Sequence, residues 1–498
     1  MSAIKSLMKD TAIYGLSSIV GRFLNWCLVP LYTIMFPVEE YGVVTYVYSV
    51  VALVLIILTY GLETGFFRFA NHDRWRDPMQ VYSTALISLG ISSAAFITAI
   101  FLFLDPVTQW MECSGHPSFV GMMAVCVAID AFTALPFSYL RYRKRPVRFA
   151  TLRLINIGIN IGLNLFFILM CPWLMRVAPA TVNWFYDPSF GIGYIFLANL
   201  IASCVTLLML LPELRGFRWR FTPRLWREMI LYCAPLLVLG IAGIMNQTID
   251  KILYPSLVSD PAEAMEGLGI YGANYKIAIV MVMFTQAFRF AYEPFIFAQS
   301  KQRGESSNRA YSDAMKYFII LALLIFMGVM FYIDILKYFI APSYFSGLRV
   351  VPVIMMAEVF YGVFFNLSLW YKLTDRTVWG MYFSLIGLAV TIGLNAVLVP
   401  VWGYMGCAWA AFCCYAVMMI LSYFVGRAKH PIPYPVRRIG FYVAVAAVCY
   451  VVGVYVVRTP WQALNFAIRA VILAAYLMLV VKREHISFPN PVKMLRHR

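Results

Sequence analysis

Charged residues are scarce in this sequence, and the residue types that mark common catalytic sites are scarcer still. Only 13% of the 498 residues are charged, whereas 62% are apolar. The five histidines all fall outside the long apolar stretches, so none is placed to act inside a membrane as a metal ligand or base. The ten cysteines show no metal-ligand spacing and are interpreted as small hydrophobic residues. We therefore predict no catalytic residue, no metal site and no cofactor.

Phosphate-binding loops and long hydrophilic segments are missing as well. The sequence has no glycine-rich loop of the NTPase type, so it is not expected to hydrolyse ATP. Its loops are too short for a soluble domain, and none carries the clustered carboxylates expected of a lipid-dependent glycosyltransferase or a polysaccharide polymerase. These absences favour a transporter over an enzyme, although an integral-membrane polymerase stays an alternative.

What the sequence does contain is a series of fourteen apolar stretches separated by short loops. Each stretch is long enough to cross a hydrocarbon core of about 30 Å as an α-helix. The predicted fold class is therefore an all-α polytopic membrane protein with about fourteen transmembrane helices. The stretches are 11–36, 43–65, 82–104, 118–140, 149–171, 191–212, 227–250, 270–296, 314–340, 349–371, 378–400, 404–426, 439–457 and 461–481.

Lysine and arginine alternate between the two sides of these stretches. Thirty of the forty lie on the side of the N-terminus, and five lie on the other side, in loops or at the ends of spans: Arg176, Lys251, Lys337, Arg349 and Arg458. The remaining five lie inside predicted spans: Arg22, Arg153, Lys276, Arg289 and Arg469. This bias predicts that both termini are cytoplasmic. The net charge of +17 is thus explained by topology and anionic lipid headgroups, with no need for nucleic acid.

Short repeats divide the chain into two related halves. Ile161–Asn164 recurs as Ile392–Asn395, and Tyr41-Gly42 recurs as Tyr271-Gly272, at almost the same offset. We predict a six-helix bundle over 1–212, a second over 213–430, and two extra helices with a cytoplasmic tail over 431–498. Since six is even, both bundles enter the membrane in the same orientation, and a substrate site is expected between them.

The first helix of each half contains residues that loosen or break a helix. Gly15, Gly21 and Pro30 lie in the first, and Pro235, Gly240 and Gly243 lie in the seventh. Proline removes a helical hydrogen bond, so these helices are predicted to bend. The alternative is that glycine and proline are simply common in membrane helices.

The layout and three sequence features resemble the polysaccharide-transporter branch of the multidrug/oligosaccharidyl-lipid/polysaccharide exporter superfamily. The features are the 6+6+2 arrangement, the opening Tyr14-Gly15 and Gly21-Arg22 followed by Glu40–Tyr46, and the glycine-rich start of the twelfth helix, Trp402–Ala408. The resemblance implies a flippase for O-antigen or capsule repeats, which moves undecaprenyl-diphosphate-linked oligosaccharide to the outer face of a bacterial inner membrane by alternating access. It also implies that a lipopolysaccharide or capsule polymerase is a partner.

Charges inside the predicted spans are the candidate substrate-binding residues. Tyr14, Ser18, Arg22 and Asn25 form one polar stripe on the first helix. We predict that Arg22 and Asn25 line a basic cavity for the diphosphate, with an ion pair between Arg22 and Asp130 as the alternative. Arginine offers two parallel donors to a phosphate, and lysine offers a point charge.

Further basic candidates lie on the second, fifth and eighth helices. Lys276 and Arg289 are predicted to extend the cavity, provided that the eighth helix bends; otherwise Lys276 reaches the outer interface. Arg289 can also pair with Glu293, four residues later. Arg68 and Arg153 are placed nearer the cytoplasmic opening, where topology alone also explains them. For Arg469 the sequence does not separate a lipid contact from plain packing.

Five acidic residues are candidates either for ion pairs or for coupling to a proton or sodium gradient: Glu63, Asp130, Asp250, Glu293 and Glu358. The predicted function is a lipid-linked oligosaccharide flippase. The alternatives are a multidrug or metabolite exporter of the same superfamily and a polymerase. Multidrug exporters of this superfamily usually have twelve helices and a less basic cavity. The presence of a thirteenth and a fourteenth helix would therefore favour the flippase over the exporter.

Overall fold

The chain forms a bundle of long helices, and no strand occurs among the residues described by the computed structural model. These residues are 15, 17, 19–71, 75, 77–111, 115–217, 219–300, 305–374, 376 and 378–485. Side chains are described for all of them except 291, 293–300, 305–308 and 373. Tyr14 and Ser18 of the predicted polar stripe lie outside the described residues, and so does the side chain of Glu293.

The N-terminal half contains six helical segments, which we number in chain order. They are α1 (Ile19–Met35), α2 (Val38–Ala70), α3 (Pro78–Leu102), α4 (Pro117–Tyr142), α5 (Pro146–Val177) and α6 (Gly193–Leu214). Helix α2 changes direction at Tyr60 and Gly61, which both have a positive φ. Glycine has no Cβ and so tolerates this left-handed conformation.

The C-terminal half contains six further segments, and a helical pair follows it. They are α7 (Pro223–Leu257), α8 (Pro261–Ser300), α9 (Glu305–Phe331), α10 (Pro342–Lys372), α11 (Val378–Trp402) and α12 (Tyr404–Lys429), then α13 (Val436–Val456) and α14 (Gln462–Arg483). Thirteen of the described helices are long and apolar enough to span a membrane. The first predicted span is described only in part, as α1. The polytopic all-α fold predicted from the sequence is confirmed.

The two helices predicted to bend, α1 and α7, differ in continuity, and the bend of α7 stays a prediction. In α1 the helix is interrupted by a turn at Cys27 and Leu28, just before Pro30. Helix α7, by contrast, is a continuous helix of 35 residues through Pro235. A proline inside a membrane helix is tolerated when neighbouring groups take over the freed backbone carbonyl.

Helix α7 also extends further than its predicted span, which ended at residue 250. Lys251 was therefore assigned to a loop, and this assignment is wrong. The helix continues to Leu257, and Lys251 is buried inside it. Helix α8 starts at Pro261 rather than near residue 270, so Lys276 lies well inside this helix and not at its outer end.

The two halves meet where α2 crosses α8. A Cβ on Gly42 would collide with the carbonyl oxygen of Met265, and a Cβ on Gly269 would collide with that of Val38. A Cβ on Gly272 would likewise collide with the side chain of Thr45. Because these glycines lack side chains, the backbones of the two helices come into direct contact. Equivalent helices that contact each other reciprocally are what a pseudo-two-fold axis requires.

The repeated asparagines occupy similar environments. Asn164 of α5 and Asn395 of α11 are both fully buried, and each donates to a carbonyl four residues earlier, that of Asn160 or Thr391. This similarity supports the two related halves. The boundaries at residues 212 and 430 stay a prediction.

The pair α13–α14 is fastened to α9 at both ends. Arg469 of α14 is buried and donates to the carbonyls of Gly453 (2.9 Å) and Phe331 (2.8 Å). Near the other end, Lys316 of α9 pairs with Glu484, which also accepts from Tyr442 of α13 (2.7 Å). Hydrogen bonds from a charged donor contribute about 1.5–3 kcal/mol each. Arg469 therefore packs within the protein and is not directed at a lipid headgroup.

Candidate substrate cavity

Arg22 and Asn25 lie on α1, which runs between the two halves. Gly21 of α1 faces Ile157 of α5, and Trp26 donates to the carbonyl oxygen of Lys276 in α8 (2.7 Å). Both Arg22 and Asn25 are exposed, although the helix that carries them is apolar. No hydrogen bond or ion pair to Arg22 occurs among the described residues. This apolar helix therefore exposes a charged and an amide side chain.

Among the described residues, Arg289 of the opposite half lies close enough to Arg22 for their charges to interact. The two guanidinium groups are close enough to repel each other. Arg289 is exposed on α8, and its guanidinium lies 4.5 Å over the ring of Phe365 in α10. Two like charges facing each other across two helices form an arrangement that an anion between them would stabilise.

Lys276 lies on the same helix as Arg289 but at another level. Thirteen residues separate the two, which corresponds to about 20 Å of helix. The Lys276 side chain is half-buried. No hydrogen bond or ion pair to this side chain occurs in the described part of the chain. The ammonium of Lys251 lies close enough for the two positive charges to interact. We call Arg22, Lys276 and Arg289 the central cationic cluster.

Next to Lys276 lies a buried charged network that joins α7, α8 and α10. The Nζ of Lys251 lies 3.1 Å from a carboxylate oxygen of Asp250 and donates to the carbonyl of Gln247 (3.0 Å). Tyr271 donates to Asp250 (2.6 Å), and Tyr275 donates to Glu358 (2.9 Å). The Lys251 ammonium also lies 4.4 Å from the centre of the Tyr275 ring.

This network, which we call the Asp250–Glu358 network, contains two carboxylates and one ammonium. Asp250, Lys251 and Glu358 are each less than a tenth exposed. A buried charge is costly unless it is paired and hydrogen-bonded, so its members depend on one another. Lys251 was missed from the sequence because Asp250-Lys251 looked like the end of a span. The signal that could have identified it is Gln247, four residues earlier on the same helical face.

One set of polar contacts in the N-terminal half is neutral. Asn156 donates to Thr206 (2.8 Å), and Asn160 donates to Asn199 (3.0 Å). Asn164 accepts a hydrogen bond from Tyr32 of α1 (2.9 Å). Since 156, 160 and 164 are four residues apart, these side chains share one face of α5. We call these contacts between α5, α6 and α1 the asparagine ladder.

Asp130 is half-buried in α4 and does not pair with Arg22. It accepts a hydrogen bond from Ser203 of α6 (2.8 Å), and its opposite charge is Arg153. The guanidinium of Arg153 lies 4.0 Å over the ring of Phe137. The alternative in which Asp130 forms an ion pair with Arg22 is therefore wrong.

Glu63 and Arg68 lie at the end of α2 that was predicted to be cytoplasmic. Glu63 pairs with Arg141 of α4 (2.9 Å) and accepts from Ser138 (3.1 Å). Arg68 is exposed, with its guanidinium 4.0 Å over the ring of Tyr232 in α7. Glu63 thus has a structural ion pair, and Arg68 rests on the other half at the rim of the bundle.

Comparisons with known proteins agree with this description. A family model described as polysaccharide biosynthesis protein matches residues 7–298. No curated protein matches the chain in sequence. Among solved structures, the lipid II flippase MurJ in an inward closed conformation superposes with a TM-score of 0.73 at 11% identity, over 95% of this chain and 99% of its own.

Multidrug resistance transporters of the MATE family share the fold as well. An inward-facing member of the MOP superfamily gives a TM-score of 0.65 at 15% identity, over 84% of this chain and 94% of its own. An outward-facing member gives 0.59 at 14% identity, over 86% and 98%. The MATE structures thus cover less of this chain than MurJ does.

Proposed function

This chain belongs to the family of polysaccharide biosynthesis proteins, and from that membership we propose that it is a flippase for lipid-linked oligosaccharide. The substrate would be an undecaprenyl-diphosphate-linked sugar repeat, moved from the cytoplasmic to the outer face of a bacterial inner membrane. Both termini would be cytoplasmic, as the distribution of Lys and Arg predicts. The chain would act as a transporter and not as an enzyme.

The observation that carries this proposal is the approach of Arg22 and Arg289 from opposite halves. A charge in the centre of a membrane helix costs roughly 2.5–3.5 kcal/mol, so it is retained where a cavity or a partner compensates. These two guanidinium groups repel each other, and each can donate two hydrogen bonds to a phosphate. A diphosphate held between them would replace part of the hydration that the headgroup loses.

The other basic residues then extend the path of the headgroup. Lys276 provides a third cation, about 20 Å from Arg289 along α8. Asn25 adds an amide donor next to Arg22. Arg153 and Arg68 would attract the anionic lipid on the cytoplasmic side, because opposite charge raises its local concentration.

The helical pair α13–α14 favours a flippase over a multidrug exporter. The MATE structures cover more than nine tenths of their own length but leave part of this chain unmatched. Twelve helices suffice for such exporters, so an additional pair fastened to α9 points to a different cargo. The exporter remains the second candidate, because the MATE family shares the fold.

Coupling to an ion gradient would involve the Asp250–Glu358 network. Its two carboxylates are buried, and a proton or sodium ion bound there would change the charge balance around Lys251. Asp130 is a weaker candidate because Ser203 and Arg153 already satisfy it, and Glu63 is held by Arg141. Glu293 stays a candidate from the sequence alone.

The decisive experiment removes the gene and locates the lipid-linked repeats. We expect them to accumulate on the cytoplasmic face and surface polysaccharide to disappear, and wild-type protein should restore it. Arg22→Ala and Arg289→Ala should fail to restore it at normal protein levels. Arg176→Ala removes one arginine elsewhere and should complement fully.

Two results would reject the proposal. Repeats that reach the outer face in the deletion strain would indicate a polymerase, since flipping would then be intact. Full complementation by both Arg22→Ala and Arg289→Ala would show that the diphosphate does not need these charges.

A further inference from the structure

An apolar groove lies between the C-terminal half and the helix that follows it. Its volume is about 330 Å³. One wall is formed by Val359 and Val363 of α10 with Ile420 of α12, and the other by Ile319 of α9 with Ile439 of α13. The groove is almost free of polar surface, so it suits a hydrocarbon chain and not a sugar.

The groove continues into a wider opening of about 830 Å³. Tyr423, Tyr434 and Val436 line both spaces, which makes them one continuous site. The opening lies where α12 ends and α13 begins, on the side predicted to be cytoplasmic. The connecting segment is held in place by a hydrogen bond from Ser312 of α9 to the carbonyl of Pro433 (2.8 Å).

Two arginines from different helices line this opening. Arg309 lies in the first turns of α9, and Arg427 lies in the last turn of α12. Both are exposed, and no hydrogen bond or ion pair to either occurs within the described portion of the chain. The carboxylates of Asp313 and Glu484 in this region are engaged by Lys316. No acidic residue lines the opening among the described residues.

We propose that this groove binds an anionic membrane phospholipid. An acyl chain would fill the apolar part, and the phosphate would lie between Arg309 and Arg427. Charge complementarity argues for this occupant, because basic pockets between transmembrane helices on the cytoplasmic side bind acidic lipid headgroups. A phosphate accepts parallel hydrogen bonds from guanidinium groups, whereas a zwitterionic headgroup adds a positive charge that the arginines repel.

The bound lipid is distinct from the cargo proposed above. The groove faces outward between α10, α12 and α13, and none of its lining residues belongs to the central cationic cluster. The proposal therefore does not rest on the flippase assignment. A lipid at this position would fill the space between α13 and the bundle, and so would stabilise the attachment of the C-terminal pair.

The test measures which lipids the full-length protein retains. Wild-type protein and variants are reconstituted with phosphatidylglycerol and phosphatidylcholine in equal amounts, and the bound lipids are counted by native mass spectrometry. We expect wild-type protein to retain phosphatidylglycerol about tenfold over phosphatidylcholine, corresponding to about 1.4 kcal/mol. Arg309→Gln with Arg427→Gln should remove this preference.

A matched control separates the site from general positive charge. Arg437 and Arg438 lie in the first turn of α13 at the same end and do not line the opening. Arg437→Gln with Arg438→Gln removes the same charge and should keep the preference. Val363→Trp, which fills the groove, should reduce retention of both lipids.

Three results would overturn the proposal. The first is equal lipid preference in wild-type protein and the Arg309/Arg427 variant. The second is an equal loss in the Arg437/Arg438 control, which would indicate surface electrostatics only. The third is displacement of phosphatidylglycerol by an equimolar isoprenoid diphosphate, which would assign the groove to the cargo.

Discussion

Two groups of buried polar contacts, one in each half of the molecule, are satisfied in different ways. The N-terminal half uses the asparagine ladder, in which amides and hydroxyls pair without net charge. The C-terminal half uses the Asp250–Glu358 network, in which Lys251 pairs with Asp250 and its charge also acts on Glu358. A neutral hydrogen bond contributes about 1 kcal/mol, and its loss is local. A buried charge that loses its partner affects every neighbour, so an ion should change the Asp250–Glu358 network more than the asparagine ladder.

Removal of Lys251 should destabilise the protein more than any other change in these two groups of contacts. Lys251→Met leaves Asp250 as a buried carboxylate without its ammonium, and breaking a buried pair in this way costs about 3–5 kcal/mol. We expect a large fall in the melting temperature of the detergent-purified protein. The double variant Asp250→Asn with Lys251→Met should recover most of the loss. A melting temperature unchanged in the single variant would mean that the network carries no net charge pairing.

A matched change in the asparagine ladder should have a smaller effect. Asn164→Leu removes the acceptor of the Tyr32 hydroxyl, and an unsatisfied buried group costs about 1–3 kcal/mol. The same melting experiment should show a smaller decrease than for Lys251→Met. Adding Tyr32→Phe should restore part of it, because the orphaned hydroxyl is then gone. If Asn164→Leu destabilised the protein more than Lys251→Met, the contrast between the halves would be refuted.

The smallest effect on stability is expected for a carboxylate that is replaced by its amide. Glu358→Gln keeps an acceptor for Tyr275, and Asp130→Asn keeps one for Ser203. Both should melt within a few degrees of wild-type protein. Transport into vesicles should separate them: Glu358→Gln should lose its response to an imposed proton gradient, and Asp130→Asn should retain it. If both variants responded equally to the proton gradient, the assignment of coupling to the Asp250–Glu358 network would be wrong.

Much of the fold could be predicted because the membrane imposes a simple constraint. Backbone groups in hydrocarbon must bond within their own segment, so a long apolar stretch becomes a helix. The described helices correspond to the predicted spans, including α13 and α14. Helix ends were less predictable. Lys251 and Lys316 lie inside helices as members of buried ion pairs, which the charge pattern alone does not separate from loop residues.

The candidate site was predicted in its types of residue but not in its partners. Arg22 and Arg289 were singled out because charges in apolar helices are unusual, and the structure brings their charges together. That Asp130 faces Ser203 and Arg153 could not be derived, because it depends on the rotation of α4 against α5 and α6. The sequence also offered no view of the groove beside α13, which exists only because four helices converge.

The crossing of α2 and α8 has a consequence for how the protein could open. At Gly42 and Gly269 the backbone of one helix contacts the backbone of the other. A change of side-chain rotamer therefore cannot separate the two helices gradually. The contact between α2 and α8 is therefore either fully formed or fully broken, so it has two discrete states. In Gly42→Ala, the added methyl group would then prevent close contact between the two helices and favour the separated state.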